Sequence, residues 1–266
     1  MDKTIELVNA IKDIQAMPSV IVKTLNLMKK PTVSMKELGD IVVYDQSLTI
    51  KILALVNSAY YGFSQQISSI NIALSLLGMV KVKNIIVAVA MKPMMSNAGD
   101  KELWKHSIRV AAGCEYLAQL TKIMDADEAF IAGFIHDVGK IVLHTSNPKM
   151  YNKVINVVQS ENADILDAEK HYFDSDHVKT GSLLAKRWQL PILLANIISY
   201  HHNPSLSSIP VPCNLVCAVD CLMQENFNPS KIDKDFLKTL GIDFDDLEDL
   251  RNAIWQKAEL LIAELT

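Results

Sequence analysis

Apolar residues recur three or four positions apart along most of the chain, which is the spacing that places them on one face of an α-helix. The segment "QSLTIKILALVN" at 46–57 illustrates the pattern. Its apolar stripe consists of Leu48, Ile52, Leu55 and Val56. No convincing run alternates between apolar and polar residues, as a half-buried strand would require. We therefore predict an all-α fold.

Residues that cap or break helices divide the first hundred positions into short segments. We predict helices at 2–13, from Pro18 to about 29, after Ser34, after Asp45, from Ser69 to about 77, and along the apolar run 80–95. Ser34 with Glu37 three residues later is a capping-box pattern, and Gly78 separates the last two helices. The small and turn-forming residues at 96–100 indicate a domain boundary.

The rest of the chain shows a second series of helical patterns. We predict helices near 101–122, 126–144, 148–160, 175–189, 191–202 and 211–225. The tail is acidic at first and then amphipathic, which we interpret as a packing helix or a partner surface. Three parts follow: an N-terminal helical part (1–98), a second helical domain (99–228) and a C-terminal helical extension (229–266).

Composition narrows the class of protein. Half of the 266 residues are hydrophobic, and the net charge of −4 with no long basic run argues against a nucleic-acid footprint. The charged, amphipathic first residues do not resemble a signal peptide, and the apolar run 85–91 is far shorter than the about 20 residues that span a bilayer. We interpret the four cysteines as packing residues in a reducing compartment. We therefore expect a soluble cytoplasmic protein without a membrane partner.

The segment "FIHDVGK" places polar side chains within an apolar helical pattern. On a helical wheel Asp137 and Lys140 fall within roughly 100° of His136. Small residues line the rest of this side: Ala129, Ala132, Gly133 and Gly139. A solvated face normally carries long charged residues, whereas small residues let another element approach closely. This favours a buried or cleft-facing His–Asp pair over a solvated face.

Other polar residues also lie on stripes that should face inward. They are His106, His177, His201, His202 and Asp220. A carboxylate in the apolar segment "CNLVCAVDCLM" is costly to bury unless it is paired or bound to metal. Imidazole and carboxylate groups are the ligands that borderline divalent metals take. Each residue singly is typical of a hydrogen-bonded core position; the set together indicates a metal site or a cluster of satisfied polar groups.

The order His106, His136-Asp137, His177, His201-His202, Asp220 resembles that of the HD superfamily of metal-dependent phosphohydrolases. Local phrases resemble one branch of it, the HDOD (HD-related output domain) proteins. They are "MPSVIVKTLNLM", "YDQSLTIKILALVNSAYYGF", "SSINIALSLLG", "LWKHS", "AGFIHDVGK" and "DHVKTGSLLAKRWQLP", followed by "HH". The resemblance covers about 15–220 and implies an N-terminal helical subdomain packed on an HD-like helical bundle.

The resemblance also implies a ligand set. The basic metal set of the HD superfamily would be His106, His136, Asp137 and Asp220, and the extra ligands of two-metal relatives would be His177, His201 and His202. One or two divalent transition-metal ions (Fe, Mn, Ni or Zn) would then bind, with Asp137 bridging. Lys140 matches a lysine that faces the substrate phosphate, so Asp137 and Lys140 are the catalytic candidates. Glu102, one turn before His106, is a further ligand candidate.

Three functional hypotheses follow. The HDOD branch is regarded as a signalling or output module, which implies a bacterial signalling protein with a protein partner. The alternative is an active phosphohydrolase acting on a phosphate-containing small molecule, either a phosphodiester or a nucleotide. The loop "NPSLSSIPVP" lacks the GYP motif of cyclic-di-GMP phosphodiesterases, which argues against that substrate. A third reading is a scaffold without metal, and the amphipathic C-terminal helix leaves a homo-oligomer open.

Overall fold

The structure, a computed structural model, describes residues 3–11, 17–28, 34–43, 45–58, 63–97 and 101–265. These residues form fifteen α-helices and short 3₁₀ turns, with no strand among them, which confirms the all-α prediction. The N-terminal part contains α1 (Lys3–Ala10), α2 (Ser19–Met28), α3 (Met35–Val43), α4 (Gln46–Val56) and α5 (Ile70–Asn97). Residues 98–100 of the predicted boundary lie outside the described residues, so the division at 98 stays a prediction.

The predicted helix starts and breaks in this part are confirmed where local chemistry decides them. The Ser34 backbone N–H donates to the Glu37 carboxylate (2.9 Å), and the Glu37 N–H donates to Ser34 Oγ (3.2 Å), which completes the capping box. Asp45 accepts a hydrogen bond from the Leu48 N–H (3.1 Å) and caps α4. Gly78 bends α5 because its φ of 76° is a conformation that residues with a Cβ rarely adopt.

Ten helices follow in the remaining residues. They are α6 (Lys101–Thr121), α7 (Ala126–Ile135), α8 (Val138–Ser146), α9 (Pro148–Glu161), α10 (Ile165–Phe173), α11 (His177–Arg187), α12 (Ile192–Tyr200), α13 (Pro210–Leu222), α14 (Lys234–Thr239) and α15 (Leu247–Leu265). Short 3₁₀ turns lie at Pro204–Leu206, Pro229–Lys231 and Phe244–Asp246.

The prediction for this part was wrong at 126–144, and it did not include α10 or α14. The single helix expected over 126–144 is two helices, because Asp137 (φ −94°, ψ 14°) leaves the helical conformation. Helix α10 was not predicted, although Asp164 caps it by accepting a hydrogen bond from the Asp167 N–H (3.1 Å). Both differences affect the site, since the α7–α8 break carries His136 and Asp137 and α10 carries Glu169.

One continuous hydrophobic core joins the N-terminal helices to α6–α8 and α11–α15, and a smaller cluster under α9 and α10 contains Leu143, Tyr151, Val154, Ala168 and Phe173. Helices α6 and α7 approach each other closely at Gly133, where an added Cβ would lie 2.9 Å from both the Cys114 sulfur and the Val110 carbonyl oxygen. Cys114 is fully buried, as expected for a packing cysteine. Helix α15 packs against α6 through an Arg109–Glu259 ion pair (2.7 Å), so the C-terminal extension includes a packing helix.

Lysines from the N-terminal part hold the end of α15. Lys51 and Lys92 both donate to the Leu265 carbonyl, at 3.1 and 2.8 Å. The carbonyl end of a helix carries partial negative charge, so two ammonium groups stabilise it. Helix α15 therefore ties the N-terminal helices to α6.

None of the described helices is long and apolar enough by itself to cross a membrane. The two arms of α5, Ile70–Met79 and Lys81–Met95, reach that length and composition only when taken together, and they are bent by 106°.

Candidate metal centre

Seven side chains from five helical regions converge in one largely buried pocket. Helix α6 contributes His106, the α7–α8 junction contributes His136 and Asp137, α11 begins with His177, His201 and His202 follow α12, and α13 contributes Asp220. The break at Asp137 turns the chain at the point where both junction residues reach the pocket. The structure therefore brings together the seven residues of the predicted metal set, whereas Glu102, the further ligand candidate, lies outside it.

The donor atoms form two adjacent groups. The first consists of His106, His136, Asp137 and Asp220, and the second of His177, His201 and His202. Within each group the donor atoms lie within 4.8 Å of one another, which is the separation expected of ligands around one ion.

Asp137 lies between the two groups. Its Oδ2 is 3.2 Å from His136 Nε2 and 3.7 Å from His106 Nε2 in the first group. Its Oδ1 is 3.3 Å from His177 Nε2 and 3.7 Å from His201 Nε2 in the second. One carboxylate oxygen thus faces each group, which is the arrangement that a ligand shared by two ions requires.

Hydrogen bonds from the other ring nitrogen to backbone carbonyls orient two of the imidazoles. His136 Nδ1 lies 2.7 Å from the Gly133 carbonyl, and His201 Nδ1 lies 3.0 Å from the Ile197 carbonyl. A carbonyl can only accept, so Nδ1 carries the hydrogen in both rings and donates it. Each Nε2 then presents a lone pair to the pocket when the ring is neutral, as in metal-ligating histidines.

Several buried donor atoms have no hydrogen-bond partner among the described residues. They are His106 Nε2, His136 Nε2 and Asp137 Oδ1. In the second group His177 Nε2 lies 3.0 Å from His202 Nε2 and 3.4 Å from His201 Nε2. A buried polar atom without a partner is costly, and so are lone pairs that face each other. Nitrogen and carboxylate donors in this arrangement fit a divalent transition metal.

Burial and neighbouring charges keep most of these groups in the protonation state that binds metal. Burial would raise the pKa of Asp137, but the charges of His136 and Lys140 outweigh it and hold this pKa well below its usual value. Burial, together with neighbouring histidines, lowers the pKa of His202 to about 2. At neutral pH the carboxylate is therefore ionised and the imidazole is neutral, which are the forms that bind metal.

His136 is the exception. Burial would lower its pKa, but the charges of Asp137 and Asp220 outweigh that and raise the pKa to about 10. Without an ion, a proton on His136 compensates the two carboxylates of the first group. Burial would raise the pKa of Asp220, but its interactions with the imidazoles of His106 and His136 outweigh burial and keep this pKa well below its usual value.

Lys140 lies one turn after Asp137, and its Nζ is 2.5 Å from Asp137 Oδ2. Burial alone would lower the pKa of Lys140, but the charge of Asp137 outweighs burial and raises this pKa above its usual value. The ammonium group is therefore charged. Its contact with a substrate phosphate stays a prediction. Glu102 is exposed, pairs with Lys105 (2.7 Å) and lies outside both donor groups.

The small residues around the His–Asp pair allow the close approach that was predicted from the sequence. Gly139 on α8 packs against the backbone of α11, where an added Cβ would overlap the His177 carbonyl and the Gly181 nitrogen. This contact sets the distance between Asp137 and His177.

Glu169 is the residue near this site that the sequence analysis missed. It is fully buried, and its Oε2 accepts hydrogen bonds from the His177 backbone N–H (2.8 Å) and from His177 Nδ1 (2.7 Å). Burial raises its pKa to about 8 in the protein without an ion, and a cation bound nearby would favour the ionised carboxylate. The sequence held one signal: Glu169 stands between Ile165 and Phe173 at four-residue spacing, so a helix there would place a carboxylate on an apolar stripe.

Comparison with known protein families identifies the family to which the chain belongs. A model of the HDOD domain matches residues 14–204, most of the chain. The chain belongs to the HDOD domain family. The match confirms the family resemblance that the sequence motifs indicated.

Individual relatives are distant. An uncharacterised protein of Treponema pallidum is 27% identical over 197 residues, which cover 73% of this chain and 38% of that protein, so the chain spans well under half of its length. A candidate signal transduction protein of Marinobacter aquaeolei VT8 has a TM-score of 0.80 at 19% identity, covering 94% of this chain and 59% of that one. A candidate phosphohydrolase of Shewanella amazonensis SB2B has a TM-score of 0.73 at 20% identity, covering 99% and 98%. At these identities the likeness shows the fold alone.

Proposed function

We propose that this HDOD protein is a bacterial signal-transduction module whose His/Asp pocket binds one or two divalent transition-metal ions. The observation that carries the proposal is the position of Asp137, with one carboxylate oxygen facing each donor group. His106, His136, Asp137 and Asp220 would hold one ion; His177, His201, His202 and Asp137 would hold the other. Imidazole and carboxylate ligands suit Fe, Mn, Ni or Zn.

The fold offers a route from the pocket to the N-terminal helices. Trp104 stands two residues before His106 on α6, and its indole N–H donates to the Ala88 carbonyl of α5 (3.2 Å). Lys92 lies 4.5 Å from the centre of the same indole ring. A change at the pocket that moves α6 would therefore act directly on α5. We propose that a protein partner reads this change on the N-terminal part, and that the protein is cytoplasmic.

Hydrogen exchange tests this proposal. Addition of Mn²⁺ to the metal-free protein should slow amide exchange along α5 as well as in α6 and α7. The Asp137→Ala variant should show no such change, and Glu102→Gln, an exposed carboxylate outside the pocket, should behave as the wild type. If Mn²⁺ binds and α5 exchanges as before, the pocket does not communicate with the N-terminal part.

The second candidate function is hydrolysis of a phosphodiester or a nucleotide. The observation in its favour is the charged Lys140 ammonium beside the shared carboxylate, because a positioned cation stabilises the negative charge that develops on a phosphoryl group. Divalent ions at the site would supply an activated water at neutral pH. Asp137 would orient the reacting groups, and Lys140 would contact the phosphate.

Turnover of phosphodiesters and nucleotides by metal-loaded protein tests the second function. Wild type should be active, Asp137→Ala inactive and Lys140→Met strongly reduced while it still holds metal. If the metal-loaded wild type turns over none of these substrates, the signalling role stands without catalysis.

A further inference from the structure

The two donor groups differ in negative charge. The first contains two carboxylates, Asp137 and Asp220. The second contains three imidazoles and has only the shared oxygen of Asp137 as an anionic ligand. An ion in the second group would therefore be compensated less well than an ion in the first.

Glu169 places a buried carboxyl group directly behind the second group. It has no exposed surface, and both of its oxygens have partners. Its Oε2 accepts from the backbone N–H and from Nδ1 of His177, while the Tyr151 hydroxyl donates to Oε1 at 3.5 Å. These bonds leave the His177 ring little freedom, and they direct its Nε2 toward Asp137 and the other two imidazoles.

His177 differs in this respect from the other imidazoles with a defined Nδ1 partner. His136 and His201 donate to neutral backbone carbonyls, whereas His177 donates to a carboxylate. A carboxylate behind a ligating imidazole fixes its tautomer and makes it a stronger ligand, and loss of such a partner typically costs about 10- to 100-fold in metal affinity.

We propose that Glu169 is a positioning residue that controls occupancy of the second metal group, and hence whether the pocket holds one ion or two. The proposal rests on the metal-binding function proposed above. Glu169 acts through His177 and does not itself contact the ion, since its oxygens are already engaged by His177 and Tyr151.

The test is metal stoichiometry and affinity for Mn²⁺, measured by equilibrium dialysis under anaerobic conditions. Wild type should bind two ions. Glu169→Gln, which keeps the shape of the side chain but replaces the carboxyl group with an amide, should bind the first ion with unchanged affinity and the second about 10- to 100-fold more weakly. Glu169→Asp keeps the carboxyl group, so it should lose less affinity than Glu169→Gln.

Two comparisons separate positioning from a general structural effect. Tyr151→Phe keeps the aromatic ring and removes the long 3.5 Å bond to Oε1, so its affinity for the second ion should stay close to that of the wild type. A Co²⁺ absorption spectrum of the first group should be unchanged in Glu169→Gln. Equal weakening of both ions, or an altered Co²⁺ spectrum, would show a structural role and overturn the proposal.

The remaining outcomes distinguish the two levels of inference. If wild type binds two ions and Glu169→Gln binds both with wild-type affinity, the role of Glu169 is wrong and the metal site stands. If wild type binds one ion at most, the second group is not a metal site and the proposal falls with it. If wild type binds none, the proposed function itself is wrong.

Discussion

Replacement of Gly139 by alanine tests the helix contact that sets the two metal groups at their distance. A Cβ on Gly139 would lie 1.9 Å from the His177 carbonyl oxygen, 2.6 Å from the Gly181 nitrogen and 2.7 Å from Thr180 Oγ1. Two of these atoms belong to the α11 backbone, so a side-chain rotation cannot relieve the overlap. Restoring an ordinary contact of about 3.4 Å requires a shift of about 1.5 Å between α8 and α11.

Two opposing effects determine how Gly139→Ala changes the free energy of unfolding. Overpacking of a core contact typically destabilises by about 1–3 kcal/mol, and the better helix propensity of alanine returns at most about 1 kcal/mol. The same shift would also separate Asp137 Oδ1 from His177 Nε2, which lie 3.3 Å apart. We expect Gly139→Ala to be less stable in urea and to lose the second ion.

Gly39→Ala is the matched control. Gly39 is also a buried helical glycine, but its nearest contact with an added Cβ would be the flexible Leu74 Cδ1 at 3.4 Å. This variant should equal or exceed the wild type in stability and keep its metal content. Wild-type stability and full metal content in Gly139→Ala would refute the reasoning about the α8–α11 contact.

Two other predictions follow from the charges of the pocket. In the metal-free protein the pKa of His136 is about 10, above its ordinary value of 6.5, so its proton stabilises the fold fully below about pH 6.5 and this contribution is lost as the pH rises through 10. Because an ion must displace that proton, affinity for Mn²⁺ should weaken about tenfold per unit of pH decrease below 10; calorimetric titrations at pH 6.5 and 8.5 that give equal affinities would contradict this. Removal of metal with a chelator should lower the melting temperature by about 5 °C or more, if the free ion stood near 100 times its Kd. Asp137→Ala should melt at the same temperature with and without the chelator.

Local sequence signals predicted those parts of the fold that local chemistry determines. Helices begin or bend at Ser34 with Glu37, at Asp45 and at Gly78 because of local hydrogen bonds or backbone conformation. These positions can therefore be predicted without knowledge of tertiary contacts. The α7–α8 break is different, since His136 keeps helical angles (φ −51°, ψ −39°) and only Asp137 departs from them. The apolar pattern continues through this break and predicts one helix.

The family resemblance implied both the seven residues and their division into two groups around Asp137, whereas helical spacing by itself indicated only which residues face inward. Inward-facing stripes pointed to His106, His177 and Asp220, because each stands where an apolar residue would be expected. Helical spacing says nothing about which imidazoles share a group. That division comes from the packing of α8 on α11, and the importance of Glu169 comes from its contact with His177 across eight residues.

Metal content of anaerobically purified protein tests the central claim most directly. Wild type, Asp137→Ala and the control Glu102→Gln would be purified side by side and measured by elemental analysis. The account predicts one to two equivalents of a transition metal in wild type and in Glu102→Gln, and a large loss in Asp137→Ala, whose carboxylate faces both groups. Absence of metal from wild type, or full retention in Asp137→Ala, would contradict it.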